Sequence, residues 1–218
     1  MENVRIMLVD DHALFRNGLR GLISMREGYC IVGEASNGED FLKLLPQTRV
    51  DVVFMDIAMP RMGGAEATRK ALAQQPDLKI ICLSMFGEES YYSQMVEAGA
   101  CGFLLKDSSI DEVFGAVDAV MAGGSYFSAA LMNNIARRMH SATAGGPNRS
   151  AALDELTERE IEVVVGICRG LSTQEIADSL FISKRTVDAH RANILEKTGC
   201  KNTASLVVYA LKNRLAEL

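Results

Sequence analysis

The sequence predicts an α/β fold, a doubly wound parallel sheet of five strands, followed by a smaller all-α unit of four helices. Three observations predict it. Short apolar runs alternate with amphipathic stretches up to about residue 122, the pattern of repeated βα units covered on both faces of a sheet. A Gly-rich interruption follows. From Leu156 the pattern is helical throughout, punctuated by cap residues and by Gly170 and Gly199. The 218 residues are too many for one typical domain and suit two.

The strands are expected at Val4–Val9, Cys30–Ala35, Val52–Met55, Ile80–Leu83 and Gly102–Leu105, with helices near 13–25, 38–46, 65–75, 88–98 and 109–121. Right-handed crossovers then narrow the topology to an open doubly wound sheet, expected to be flavodoxin-like with the strand order 2-1-3-4-5. Gly123-Gly124 and the run Ala144-Gly145-Gly146-Pro147-Asn148-Arg149-Ser150 have linker chemistry, with a short helix expected at Ser128–Met139. The predicted division is 1–122, a linker over 123–152, and 153–218. In the last segment Thr157 with Glu160, and Ser172 with Glu175, fit capping boxes, and Ser183 is a third N-cap. The turn at Phe181–Ser183 between two short helices is a helix-turn-helix signal. A fourth helix is expected over 202–216.

Composition excludes several classes. The net charge of −5 rules out a general polyanion binder, so any nucleic-acid surface must be local. The five cysteines are dispersed and form no CxxC pair, which argues against a zinc site or disulfide framework. No signal peptide and no 18-residue apolar span is read, so a cytoplasmic protein without membrane association is expected.

Chemistry concentrates at the strand ends. Asp10 and Asp11 follow the first strand and Asp56 ends the third. With strands one and three adjacent, these carboxylates converge at the switch point where open α/β sheets bind ligands. Converging carboxylates raise one another's pKa unless a cation neutralises them, and a hard divalent ion such as Mg²⁺ suits an oxygen donor set. Lys106, after the fifth strand, adds a positive charge, and Ser84, ending the fourth, a hydroxyl. Nucleophilic carboxylate, metal, cation and hydroxyl together make a site for an aspartyl phosphate. An Asp-Asp pair after a strand is by itself ordinary turn chemistry. Five such positions at the ends of four strands of one sheet are not.

Val9-Asp10-Asp11-His12, Met55-Asp56-Ile57-Ala58-Met59-Pro60, Leu83-Ser84 and Leu104-Leu105-Lys106 resemble the receiver domains of two-component response regulators, over residues 3–121. The resemblance implies phosphorylation of Asp56 by a sensor histidine kinase and Mg²⁺ held by Asp10, Asp11, Asp56 and the Ile57 carbonyl. It also implies that Ser84 and Lys106 sense the phosphate, and that Phe103 stands at the aromatic switch position. Phe103 replaces the frequent Tyr, and Asp107 replaces a common cis-proline.

In the helical segment, Lys184, Arg185, Arg191, Lys197 and Lys201 face only Asp188 and Glu196 within 183–202, a local basic excess of the kind a DNA footprint requires. A helical wheel turns Val187, Ile194 and Thr198 inward, and Arg185, Ala189, Ala192, Asn193 and Glu196 outward. Asp188 and Asn193 are candidate base readers. Arg191 lies toward the inner side, divided between a structural role and a DNA contact, and His190 reads as packed. The strings Leu156-Thr157-Glu158-Arg159-Glu160, Gly170-Leu171-Ser172-Thr173-Gln174-Glu175-Ile176-Ala177 and Ser183-Lys184-Arg185-Thr186-Val187-Asp188-Ala189-His190 resemble the LuxR-type helix-turn-helix of the NarL/FixJ family. The resemblance implies a recognition helix at 183–197 in the major groove of double-stranded operator DNA. Phosphates then fall to Thr173, Lys184, Arg185, Thr186 and Lys201, and the last helix to a homodimer contact that includes some of Val207, Val208, Ala210 and Leu211.

The expected activity is a phosphorylation-dependent transcriptional regulator and not a turnover enzyme. A metal-dependent phosphohydrolase of the Asp-x-Asp type lacks its second acid here, because Ile57-Ala58 follows Asp56. A flavin protein of the same fold needs a Gly- and hydroxyl-rich phosphate loop where Asp10-Asp11 stands. A regulator that works without phosphorylation shares the DNA-binding reading.

Overall fold

The computed structural model describes residues 3–85, 89–127, 156–200, 202–213 and 215. The chain forms two compact units, Met1–Ser128 and Ala129–Leu218. Each is described by itself. The helix expected at Ser128–Met139 and the Gly-rich run 144–150 lie outside the described residues.

In the first unit the order is β1 (Val4–Val9), α1 (Ala13–Ser24), β2 (Tyr29–Ala35), α2 (Gly38–Leu44) with a short 3₁₀ turn, β3 (Val52–Asp56), α3 (Gly64–Gln74), β4 (Lys79–Ser84), α4 (Glu89–Ala98), β5 (Gly102–Leu105), α5 (Ile110–Met121) and β6 (Tyr126–Phe127). The sheet is parallel, in the order β2-β1-β3-β4-β5-β6. The central strands are apolar because both faces are covered: every residue of β3 is buried. Alternation along β1 sends Ile6 and Leu8 into one layer with Leu19 and Ile23 of α1 and Val113, Val117 and Val120 of α5. Met7 and Val9, also buried, face the other way.

The expected five strands become six. Tyr126–Phe127 falls in the stretch read as linker, so the sheet extends beyond Ala122. The physical reason is the end of α5. Gly123 takes a positive φ of 80° and the Gly124 N–H donates to the Ala119 carbonyl at 2.9 Å. This closure turns the chain back so that the Tyr126 N–H donates to the Cys101 carbonyl at 3.2 Å. Two residues then add to the β5 edge, where Phe127 stacks on Phe103 with centroids 5.5 Å apart.

In the second unit the described helices are α6 (Glu158–Cys168), α7 (Thr173–Ser179), α8 (Lys184–Thr198) and α9 (Thr203–Lys212). Both capping boxes form, at Thr157/Glu160 and Ser172/Glu175, and Ser183 caps α8 by accepting from the Thr186 N–H. Gly199 ends α8 in the left-handed region, φ 66°. Val163, Val164, Ile176, Val187, Ile194, Leu206, Val207 and Ala210 are buried.

Candidate functional site

Strand register builds the acidic site. Val9 of β1 pairs with Met55 of β3, so the next residues, Asp10 and Asp56, emerge side by side at the carboxyl edge of the sheet. Asp56 pairs with Leu83 and Ser84 with Leu105, which puts Ser84 and Lys106 at the same edge. Gly64, opening α3, allows the close approach behind Asp56: a Cβ there would lie 2.1 Å from the Asp56 carbonyl oxygen.

The cluster is Asp10, Asp11, His12 and Asp56, whose potential ligand atoms lie within 4.8 Å of one another. Asp10 and Asp56 are buried, at 2% and 3% exposure, while Asp11 and His12 are open to solvent. The Lys106 ammonium lies 2.9 Å from Asp10 Oδ2 and 3.0 Å from Asp56 Oδ2, and 5.3 Å from the Phe15 ring centroid. The His12 N–H donates to Asp10 Oδ1 and the Ile57 N–H to Asp56 Oδ1, each at 2.8 Å. Arg16 fixes the chain behind Asp10. Its Nη1 donates to the Asp10 carbonyl at 2.5 Å and its Nε to Glu34 at 3.1 Å.

The electrostatics follow from burial. Asp56 is pushed up to about 6 by desolvation and by the neighbouring Asp10 charge, against the opposing pull of Lys106 and the Ile57 N–H. Burial acts to lower the Lys106 pKa, but its bonds to Asp10 and Asp56 prevail and raise it. One ammonium thus serves two buried carboxylates. Asp10 Oδ2, although beside Lys106, has no aligned hydrogen bond. A three-carboxylate oxygen set with a buried, incompletely satisfied oxygen fits a hard divalent cation.

Two expected participants also make local hydrogen bonds. The Ile57 carbonyl accepts from the Gly64 N–H at 2.9 Å, which closes the β3–α3 loop with one of its two lone pairs. The Ser84 hydroxyl, buried at the strand end, donates to the Met85 carbonyl at 3.0 Å. Phe103 is buried and turned toward Phe127. His12 was missed from the residue pattern, although its place beside Asp10-Asp11 was a readable signal. Its Nδ1 is 3.2 Å from Asp11 Oδ1 and 3.6 Å from Asp10 Oδ1.

On α8, Lys184, Arg185, Thr186, Asp188, Ala189, Ala192 and Asn193 are exposed, while Val187 and Ile194 are buried. The Thr198 hydroxyl donates to the Ile194 carbonyl at 2.7 Å. Lys201 lies outside the described residues. Two basic residues are not free for a ligand in the simple sense. Lys197 pairs with buried Glu160 at 2.7 Å. Arg191 donates to Thr173 Oγ1 at 3.0 Å and to Thr203 Oγ1 at 2.8 Å, so Thr173, expected to meet phosphate directly, also holds this arginine. Of the apolar residues of α9, Val207 and Ala210 pack inward.

Comparison with known proteins agrees with both halves. Residues 6–118 match the response regulator receiver domain, and residues 154–210 match the luxR family of bacterial regulatory proteins. Response regulator GacA of Pseudomonas aeruginosa is 33% identical over 98% of each chain. Response regulator UvrY of Escherichia coli is 34% identical over 97% of this chain and 95% of its own. The crystal structure of response regulator ChrA, of a heme-sensing two-component system, superposes with a TM-score of 0.55 at 32% identity, over 99% of this chain and 100% of that one. Receiver sheet, acidic pocket and capped helix-turn-helix therefore place the chain among the response regulators of the NarL/FixJ family, DNA-binding transcriptional regulators that join a phosphorylation-dependent receiver to a LuxR-type domain.

Proposed function

We propose that Asp56 takes a phosphoryl group from a sensor histidine kinase in the cytoplasm and that this controls operator binding by the LuxR-type domain. The observation that carries the reading is the buried carboxylate pair bridged by Lys106. An Asp56 oxygen attacks phosphorus, the bond from phosphorus to the kinase histidine nitrogen breaks, and that nitrogen leaves with its electron pair and takes up a proton. Lys106 stays charged and moves from balancing a carboxylate to balancing the phosphoryl oxygens. Asp10, Asp11, Asp56 and the second lone pair of the Ile57 carbonyl would hold Mg²⁺, which supplies further charge neutralisation on the transferred group. Ser84 reaches the phosphate by exchanging its Met85 carbonyl bond for a phosphoryl oxygen.

The reaction is stoichiometric: the protein is consumed as acceptor and restored by slow hydrolysis, not turned over as an enzyme. The receiver runs through β6, a linker follows to about 152, and the LuxR-type domain begins near 153. Exposed Lys184, Arg185 and Thr186 at the start of α8 meet phosphates, with Lys201 beyond it, while Asp188, Ala189, Ala192 and Asn193 approach base edges. A phosphorylation-favoured homodimer would match two half-sites about one helical turn apart.

The test is mass analysis after incubation with acetyl phosphate and Mg²⁺. One phosphoryl group is expected on residue 56 and none on the Asp56→Asn variant. Normal labelling of that variant would remove Asp56 from the role.

A further inference from the structure

We infer that Arg191, Thr173 and Thr203 form a clamp for one phosphodiester of the DNA backbone, an inference that rests on the DNA-binding reading above. Thr173 opens α7 and Thr203 opens α9, and the guanidinium of Arg191 on α8 donates to both hydroxyl oxygens, at 3.0 and 2.8 Å. Each hydroxyl therefore acts as acceptor toward arginine, and its own hydrogen still needs an acceptor. Among the described residues none takes either hydrogen, and no carboxylate lies within ion-pair distance of the guanidinium.

The contrast with the neighbouring cation is informative. Lys197 is neutralised directly by Glu160 at 2.7 Å. Arg191 is partly buried, which pushes its pKa down, and the favourable charge nearest in effect is Asp188, too far for a contact. A partly desolvated cation without a counterion invites an anion. The cluster offers only donors, so it cannot read a base edge that itself donates, whereas a phosphate oxygen is satisfied by all three groups. All three side chains retain partial exposure, so the site is open to a ligand. They also tie α7 and α9 to α8, and a phosphate seated there would set how the recognition helix enters the groove.

The test uses the full chain, phosphorylated with acetyl phosphate and Mg²⁺, and random-sequence duplex DNA, whose binding reports phosphate contacts. Arg191→Gln is expected to lower the slope of log K against log salt by about one, the share of a single phosphate contact. The double variant Thr173→Val with Thr203→Val keeps charge and near-native shape but removes both acceptors of Arg191, so Tm is expected to fall by a few degrees and binding, measured well below that Tm, to weaken about tenfold. A folded Arg191→Gln protein with the wild-type slope, or a double variant with wild-type affinity, would overturn the clamp and leave these residues a purely internal brace. Should Arg191→Gln not fold, the threonine pair decides. Wild-type protein that binds no duplex DNA would sink the underlying reading as well, which separates the two failures.

Discussion

Lys106 stands between two carboxylates that are almost completely buried from water, and its single charge cannot neutralise both. Asp56 carries the consequence, with its pKa raised from 3.8 to about 6. A carboxyl group with a raised folded pKa contributes most to stability below its unfolded pKa, and that contribution is lost as pH rises through the folded value. Metal-free protein is therefore expected to lose stability between about pH 4 and pH 6 on this account, by roughly 2 to 3 kcal/mol at about 1.4 kcal/mol per pH unit. Asp56→Asn, which removes the charge, is expected to be more resistant to urea than wild type at pH 7 and no more resistant at pH 4. Mg²⁺ stabilises by mass action only where its ligands are intact. It should raise the wild-type midpoint at pH 7 and leave Asp10→Asn and Asp56→Asn unmoved. Equal midpoints for wild type and Asp56→Asn at both pH values would show that the pocket is not strained.

At the scale of elements, the pair Glu160–Lys197 joins the first turn of α6 to the last turn of α8. Burial opposes ionisation of Glu160, but the Lys197 ammonium and the Thr157 donors prevail and hold its pKa below the usual carboxylate range. Lys197→Met leaves a buried carboxylate with only its cap. The expected loss is on the order of 2 kcal/mol, below the value for a fully buried pair because Lys197 is 39% exposed. Chemical denaturation would measure it, and a loss under about 0.5 kcal/mol would class the pair with ordinary surface pairs. The depressed Glu160 pKa fixes the sign of its pH dependence: the contribution is present above the unfolded value of 4.5 and fades as pH falls below it. Most helices and their caps were legible because they are local: Ser172 with Glu175 states its own hydrogen bonds in four residues. The acidic pocket was legible because βα order puts strand ends together. What crosses between elements was not. The +3 excess near α8 counted Lys197 as a free charge, because no local pattern reveals that Glu160 lies across from it. The β6 pairing was hidden for the same reason, since it depends on how the loop after α5 closes.

For the whole molecule the question is how an event at Asp56 leaves the receiver. Phe103 is buried on β5, and Phe127 of β6 stacks on it with the rings 7° from parallel. β6 has only two residues and, among the described strands, pairs with β5 alone; this short ladder, the ring contact and the packing of Tyr126 against the core beside α5 hold it. One residue later, at Ser128, the first compact unit ends. A change at the carboxyl edge that rotates Phe103 or shifts β5 therefore removes one of the side-chain anchors of β6, the one nearest its end. Aromatic pairs of this kind contribute about 1 kcal/mol beyond area burial, a quantity small enough to be overturned by a charged phosphoryl group and large enough to bias a two-state equilibrium about fivefold. Phe127→Ala should leave phosphate uptake on Asp56 intact, since it touches none of the pocket residues. It should shrink the gain in DNA affinity that acetyl phosphate produces in wild type, because the unphosphorylated receiver has already lost the contact that phosphorylation releases. Measuring duplex binding of both proteins with and without acetyl phosphate decides it. An undiminished gain in Phe127→Ala would mean that the signal leaves the receiver by another surface and that β6 is a passive end to the sheet.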